Sequence, residues 1–169
     1  CTVIREHAKF ASPDTVISPT TRIKARRIII ATGSRAFIPP IEGLANTPYL
    51  TNETIFDLPD FPEHLVILGG GPIGMEMAQA FVRLGAKVTV IEMGKALGRS
   101  DRAHAEIAIE ALRAEGVTLL EGYKATKVEQ DGKTIRVHTE PKDGEAWTVE
   151  GSHLLVAVGR QTMKVRSVG

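Results

Sequence analysis

Residues 66–76 read Val-Ile-Leu-Gly-Gly-Gly-Pro-Ile-Gly-Met-Glu. An apolar strand runs into Gly69, Gly71 and Gly74 at G-x-G-x-x-G spacing, and a helix is due at once. This is the chemistry of a diphosphate cradle. Gly69 permits a tight turn, Gly71 lets backbone approach a pyrophosphate, and Gly74 lets helix and strand pack closely. Gly70, Pro72 and Ile73 complete the cradle. The helix start offers unpaired N–H groups and the positive end of its dipole to an anion. Glycine-rich turns also arise for backbone reasons alone, so the surrounding pattern decides the reading.

Downstream, the spacing predicts a helix over 72–84, with Pro72 at the first helical position and Gly85 past the end. Its apolar face is Ile73, Met77, Ala80, Phe81 and Leu84. A strand over 87–92 follows. A second helix over 101–115 has Asp101 as cap, Gly116 as stop and His104, Ile107, Ala108, Ala111 and Leu112 inward. Residues 117–120 form a third strand. This β-α-β-α-β order implies a parallel sheet with right-handed crossovers. Alternation over 124–130 and 134–139 about Asp131-Gly132, with a further strand over 145–149, gives an antiparallel meander in place of the next crossover helix. A last strand, 153–158, runs into Gly159. The expected fold is α/β and Rossmann-like.

Upstream, residues 2–10 and 14–18 read as short strands. Arg27–Thr32 reads as a buried strand because its apolar run is continuous. These pieces cannot enclose a core, so residues 1–40 read as part of a larger domain. Residues 41–62 read as a crossing segment, with Asn52 capping a helical turn over 53–58.

Glu92 ends the second strand, about 20 residues on from the turn, where a carboxylate accepts hydrogen bonds from a ribose. It would repel a 2′-phosphate, so NAD(H) is expected over NADP(H). Lys95 and Arg99 nearby moderate that preference.

The net charge is +1 and charged residues make up 24% of the chain, so neither nucleic acid nor an acidic surface is indicated as a partner. The chain has one cysteine, Cys1, which excludes an intrachain disulfide, and five scattered histidines without metal-ligand spacing. No apolar run reaches membrane-spanning length, and the cytoplasm is the default compartment.

Three ordered motifs together resemble the pyridine nucleotide–disulfide oxidoreductases, the flavoenzymes that include dihydrolipoamide dehydrogenase and mercuric reductase. Ala31-Thr32-Gly33-Ser34 is similar to their FAD-contact segment. Gly69–Glu76 is similar to their G-x-G-x-x-G-x-E turn, and Val158-Gly159-Arg160 to the segment that returns the chain to the flavin domain. The resemblance implies that residues 1–43 close an interrupted FAD domain, 44–160 form the NAD(H) domain, and 161–169 return. It implies FAD contacts at Ala8, Thr32, Gly33 and Ser34. It implies nucleotide contacts at Glu76 beside the nicotinamide, at Val128 against adenine and at Gly159. The implied parent is a homodimer that passes hydride between NAD(H) and FAD.

Several family features are absent from this sequence: the first FAD glycine loop, the redox cysteine pair and the C-terminal interface domain. Thr162-Met163 replaces the usual Pro-Asn, and Pro72 stands where relatives carry tyrosine or valine. The chain therefore reads as a central fragment, inactive alone. A nucleotide-binding regulatory module and an S-adenosylmethionine-dependent methyltransferase are the alternatives. Gly74 and the meander count against the latter.

Overall fold

A computed structural model describes residues 1–163. The chain divides into two compact units, Ala36–Arg160 and Cys1–Arg35 with the segment from Gln161 onward. Of the expected return segment, residues 164–169 lie outside the described residues.

The smaller unit holds a three-stranded antiparallel sheet, β1 (Lys9–Ser12), β2 (Thr15–Ile17) and β3 (Arg22–Lys24). The turn at Pro13-Asp14 is locked by the Asp14 carboxylate, which accepts the hydroxyls of Ser12 at 2.7 Å and Thr15 at 2.8 Å. Residues 2–8 are not a strand, contrary to expectation. Nor is Arg27–Thr32, where Ile29 is 92% and Ile30 59% exposed. A strand buried on both faces needs a neighbour along each edge. Among the described residues none pairs with this run. The strands β4 (Ser34–Ala36) and β12 (Arg160–Thr162) form a two-stranded ribbon where the chain passes from one unit to the other.

The larger unit is built on a four-stranded parallel sheet. Its strands are β5 (His64–Leu68), β6 (Lys87–Glu92), β7 (Thr118–Glu121) and β11 (His153–Val156), in the order β11-β5-β6-β7. Helix α1 (Pro72–Arg83) follows β5, and α2 (Arg102–Ala114) follows β6. The meander is β8 (Tyr123–Asp131), β9 (Thr134–Pro141) and β10 (Trp147–Gly151), and it supplies a second sheet. Side chains alternate along β5. Leu65 and Ile67 join the helix-side core with Met75, Ala78, Val90, Ile109 and Leu112. Val66 and Leu68 join the meander-side core with Ile91, Val128, Val137 and Val149. The strand is thus sandwiched between layers, which explains why it reads as an unbroken apolar run.

Helix starts and stops follow their chemistry. Asp101 caps α2 by accepting the N–H groups of Ala103 at 3.1 Å and His104 at 3.2 Å. Gly85 and Gly116 take φ of 101° and 102° past the two helix ends, a region costly for side chains. The buried faces are rotated from expectation. On α2 the inward residues are Ala105, Ile109 and Leu112, while Ile107 is 67% exposed and His104 faces solvent. On α1 the fully buried residues are Gly74, Met75 and Ala78; of the expected face, Met77 and Phe81 pack partly buried against the helix-side core, while Leu84 is exposed. Each contact mixes small residues (Gly74 and Ala78, Ala105) with large ones (Met75, Ile109 and Leu112). Thr54, not Asn52, stands at the N-cap of a 3-10 turn over Ile55–Asp57 and makes no side-chain cap bond; its hydroxyl instead accepts the upstream Thr51 N–H at 3.0 Å. Trp147 is half exposed and meets Tyr123 edge-to-face at 6.5 Å.

On the meander, Lys127 and His138 hydrogen-bond the Glu129 carboxylate at 2.8 and 3.0 Å. They lower its pKa from 4.5 to about 2, with Lys127 the larger influence. A depressed folded-state pKa means that this contribution to stability is complete above pH 4.5 and is lost as pH falls through about 2. Carbon-detected NMR should place the Glu129 midpoint near 2, and Lys127→Ala should move it upward.

Candidate functional site

The parallel sheet turns at β5. Its two neighbours are β6, reached through α1, and β11, reached only after the meander. Chain connections leave on opposite sides of such a point, and a crevice opens beyond the strand ends. The glycine turn sits in that crevice.

Its glycines answer to different constraints. Gly69 has φ 103°, and a Cβ there would lie 2.5 Å from the Ala157 carbonyl oxygen. A Cβ on Gly74 would run into the Gly69 carbonyl. Both are therefore demanded by the protein's own packing. Gly71 is different. Its φ of −76° suits any residue, and an added Cβ would meet nothing within 4 Å. The protein does not need glycine there, but a ligand resting on that backbone would. Gly71 is also the N-cap of α1 and brings no side-chain hydrogen bond. The first-turn N–H groups are thus left for an outside acceptor.

A cavity of about 430 Å³ lies over this turn, lined by Gly69–Ile73, Glu92, Lys95, Leu97–Ser100 and Ala157–Gly159. The Phe37 N–H fixes Gly159 by donating to its carbonyl at 3.0 Å. A second cavity of about 570 Å³ shares Gly69, Glu92 and Val158 with the first. Its wall is mostly apolar, with Phe37, Pro39, Pro40, Ile41, Ile91, Met93 and Tyr123.

Glu92 stands between the two. Its carboxylate accepts the Gly70 N–H and the Gly94 N–H, both at 2.7 Å. Each carboxylate oxygen retains a further lone pair for a hydroxyl donor. Glu92 is therefore a clasp on the turn. The loop over 93–100 forms the outer wall and is tied to the turn by the Leu97 N–H, which donates to Gly70 O at 2.8 Å. Leu97 holds φ 51°, the only positive φ at a non-glycine position among the described residues. That conformation costs roughly 1–2 kcal/mol, offset in part by packing of its side chain against the helix-side core.

The sequence profile described as pyridine nucleotide-disulphide oxidoreductase matches residues 1–166. The chain belongs to that family. It is 36% identical over 163 residues to a mercuric reductase of Bacillus cereus, covering 96% of this chain and 26% of the relative. It is 35% identical over 141 residues to the probable pyridine nucleotide-disulfide oxidoreductase RclA of Escherichia coli K12, covering 82% of this chain and 31% of that protein. The structure of the HOCl-induced flavoprotein disulfide reductase RclA from Escherichia coli superposes with a TM-score of 0.76 at 30% identity, over 96% of this chain and 37% of that one. The chain thus spans about a quarter to a third of the length of these relatives.

Within this family frame, the structure gathers Gly69, Gly70, Gly71, Pro72, Ile73, Glu92 and Gly159 on one cavity. Gly74 lies buried beneath the turn as packing. Glu76 is exposed on α1 and lines neither cavity. Val128 points into the meander-side core at 1% exposure, and its N–H donates to Glu42 O at 2.8 Å. Its side chain is a core residue, and the polar group nearest to hand is already used. The strand β8 meets the apolar cavity through Lys124, Ala125 and Thr126 instead. In the smaller unit, Ala8 edges a cavity of about 260 Å³. Thr32 and Gly33 lie exposed in an irregular segment, with Ser34 half-buried at the start of β4. The wall residues Leu97 and Ser100 escaped sequence reading, as did the apolar cavity.

Two alanine substitutions should separate packing from binding. Gly74→Ala should lower stability by about 1–3 kcal/mol in urea unfolding. Gly71→Ala should leave the unfolding midpoint unchanged and weaken whatever diphosphate ligand the cavity takes, as read by calorimetry.

Proposed function

We propose that residues 44–160 bind NAD(H) and serve as the nucleotide-binding part of a longer flavin-dependent oxidoreductase. The observation that carries this reading is the unforced Gly71, open above an uncapped helix start and beside the Glu92 carboxylate. The donor set suits a dinucleotide. Backbone N–H groups and the helix dipole face a diphosphate. Glu92 accepts from ribose hydroxyls, and the apolar cavity beside it has the character to take a base. NAD(H) is favoured over NADP(H) because Glu92 is anionic where a 2′-phosphate would sit. Lys95 and Arg99 on the same wall keep the discrimination moderate.

Bound NAD(H) supplies a hydride, while this chain's residues hold and orient it. Glu76, exposed on α1, and Gly159 are assigned to the nicotinamide end. In the whole protein, residues 1–43 would complete an FAD domain, with Ala8, Thr32, Gly33 and Ser34 at the flavin. The names of the relatives favour a metal ion or a disulfide as the final acceptor. A dihydrolipoamide dehydrogenase-like acceptor has less support. A homodimeric, cytoplasmic parent remains part of this proposal. No described helix is long and apolar enough to cross a membrane.

Calorimetric titration of the 169-residue chain with NADH, NADPH and S-adenosylmethionine tests the reading. NADH should bind tightest, and preference for S-adenosylmethionine would sink it. Glu92→Ala should weaken NADH roughly 10–100-fold, the loss of charge-assisted bonds worth about 1.5–3 kcal/mol. Glu92→Arg should favour NADPH less than a simple charge swap implies, because it also removes the acceptor for Gly70 and Gly94.

A further inference from the structure

Glu121 ends β7 as Glu92 ends β6, and the two are register partners on adjacent parallel strands. Such strands lie about 4.8 Å apart, so two half-buried carboxylates stand side by side at the mouth of the crevice. Both hold the same loop. Glu92 takes the Gly94 N–H, and Glu121 Oε1 takes the Ala96 N–H at 2.9 Å. The other Glu121 oxygen receives Arg113 Nη2 of α2 at 3.3 Å, with Lys95 Nζ at 4.0 Å. The loop is pinned again where Gly122 N–H donates to Gly94 O at 3.1 Å and Arg102 Nη1 to Ala96 O at 3.2 Å.

Ala96 is the point through which these ties act. It is fully buried, and its methyl lies 3.2 Å from where a Cβ on Gly70 would be. The next residue, Leu97, binds Gly70 O. A shift of Ala96 therefore reaches the glycine turn directly and carries Lys95 and Arg99 along the cavity wall. Removing the acceptor would strand a buried N–H, and the loop's cheapest remedy is to swing toward water.

We propose that Glu121, which does not itself line the cavity over the turn, is a positioning residue for the nucleotide. Through the Ala96 N–H it sets where the wall over 93–100 stands against the turn. The inference rests on reading the cavity as a dinucleotide site.

The test compares wild type, Glu121→Gln, Glu121→Leu and Glu92→Ala in the 169-residue chain. Calorimetry gives the affinities for NADH and ADP-ribose, thermal melts report folding, and amide exchange is followed at Ala96 and Leu97. Glutamine keeps an acceptor oxygen, whereas leucine keeps the bulk without one. Glu121→Leu should weaken NADH and ADP-ribose alike, on the order of tenfold, with faster exchange at Ala96 and Leu97. Glu121→Gln should stay within about twofold of wild type, since a neutral acceptor still satisfies the N–H. Unchanged affinity in Glu121→Leu, alongside weakened binding in Glu92→Ala, overturns the role of Glu121 and leaves the dinucleotide reading intact. A wild type that binds neither ligand overturns that reading and this inference with it. Glu121→Ala repeats the measurement should leucine not be accommodated. Loss of folding in both variants marks Glu121 as a purely structural residue and overturns the proposal.

Discussion

The contact between Gly74 and the Gly69 carbonyl is the constraint on which the larger unit depends. A helix normally begins a side chain's width away from the strand that feeds it. Here the helix backbone starts against the turn itself, because a Cβ at position 74 has no room. That approach brings the dipole of α1 to the end of the sheet. It also leaves the Gly71 backbone facing outward over open space. The close seating of α1 puts Gly74, Met75 and Ala78 fully inside, with Met77 and Phe81 packed at the edge of the same core.

Around this contact the chain places carboxylates instead of longer loops. Glu92 clasps Gly70 to Gly94, and Glu121 holds Ala96. These bonds satisfy N–H groups in a segment with no regular structure, where each orphaned donor would cost about 1–3 kcal/mol. They also hold Leu97 at a φ that its side chain disfavours. Strain of this kind persists only where neighbours over-determine it, and it gathers at binding surfaces.

Much of the larger unit was legible because its punctuation is local. Pro72, Gly85, Asp101 and Gly116 mark helix ends by chemistry that needs no tertiary partner, and α1 and α2 fall within a residue of their expected limits. The meander was legible from alternation and Asp131-Gly132. What failed was inference about surroundings. Ile28, Ile29 and Ile30 describe an environment the segment suits, and no described strand provides it. The inner face of α2 was misplaced by about one residue because alanine marks either side of a helix equally well. In the site, the glycines and Glu92 were readable from spacing. Glu121 was not, since its partnership with Glu92 exists only in the register of β6 and β7. Val128, placed against adenine by resemblance, has its side chain in the meander-side core and its N–H bonded to the Glu42 carbonyl that crosses β8.

The edge-to-face pair of Tyr123 and Trp147 has a practical side. Tyr123 forms part of the apolar cavity wall, and Trp147, the only tryptophan in the chain, leans on it from the solvent side. The indole thus sits one ring away from the space a base would fill. A ligand that moved Tyr123 would therefore change the surroundings of the indole. The fold thus carries its own fluorophore one ring behind the cavity wall.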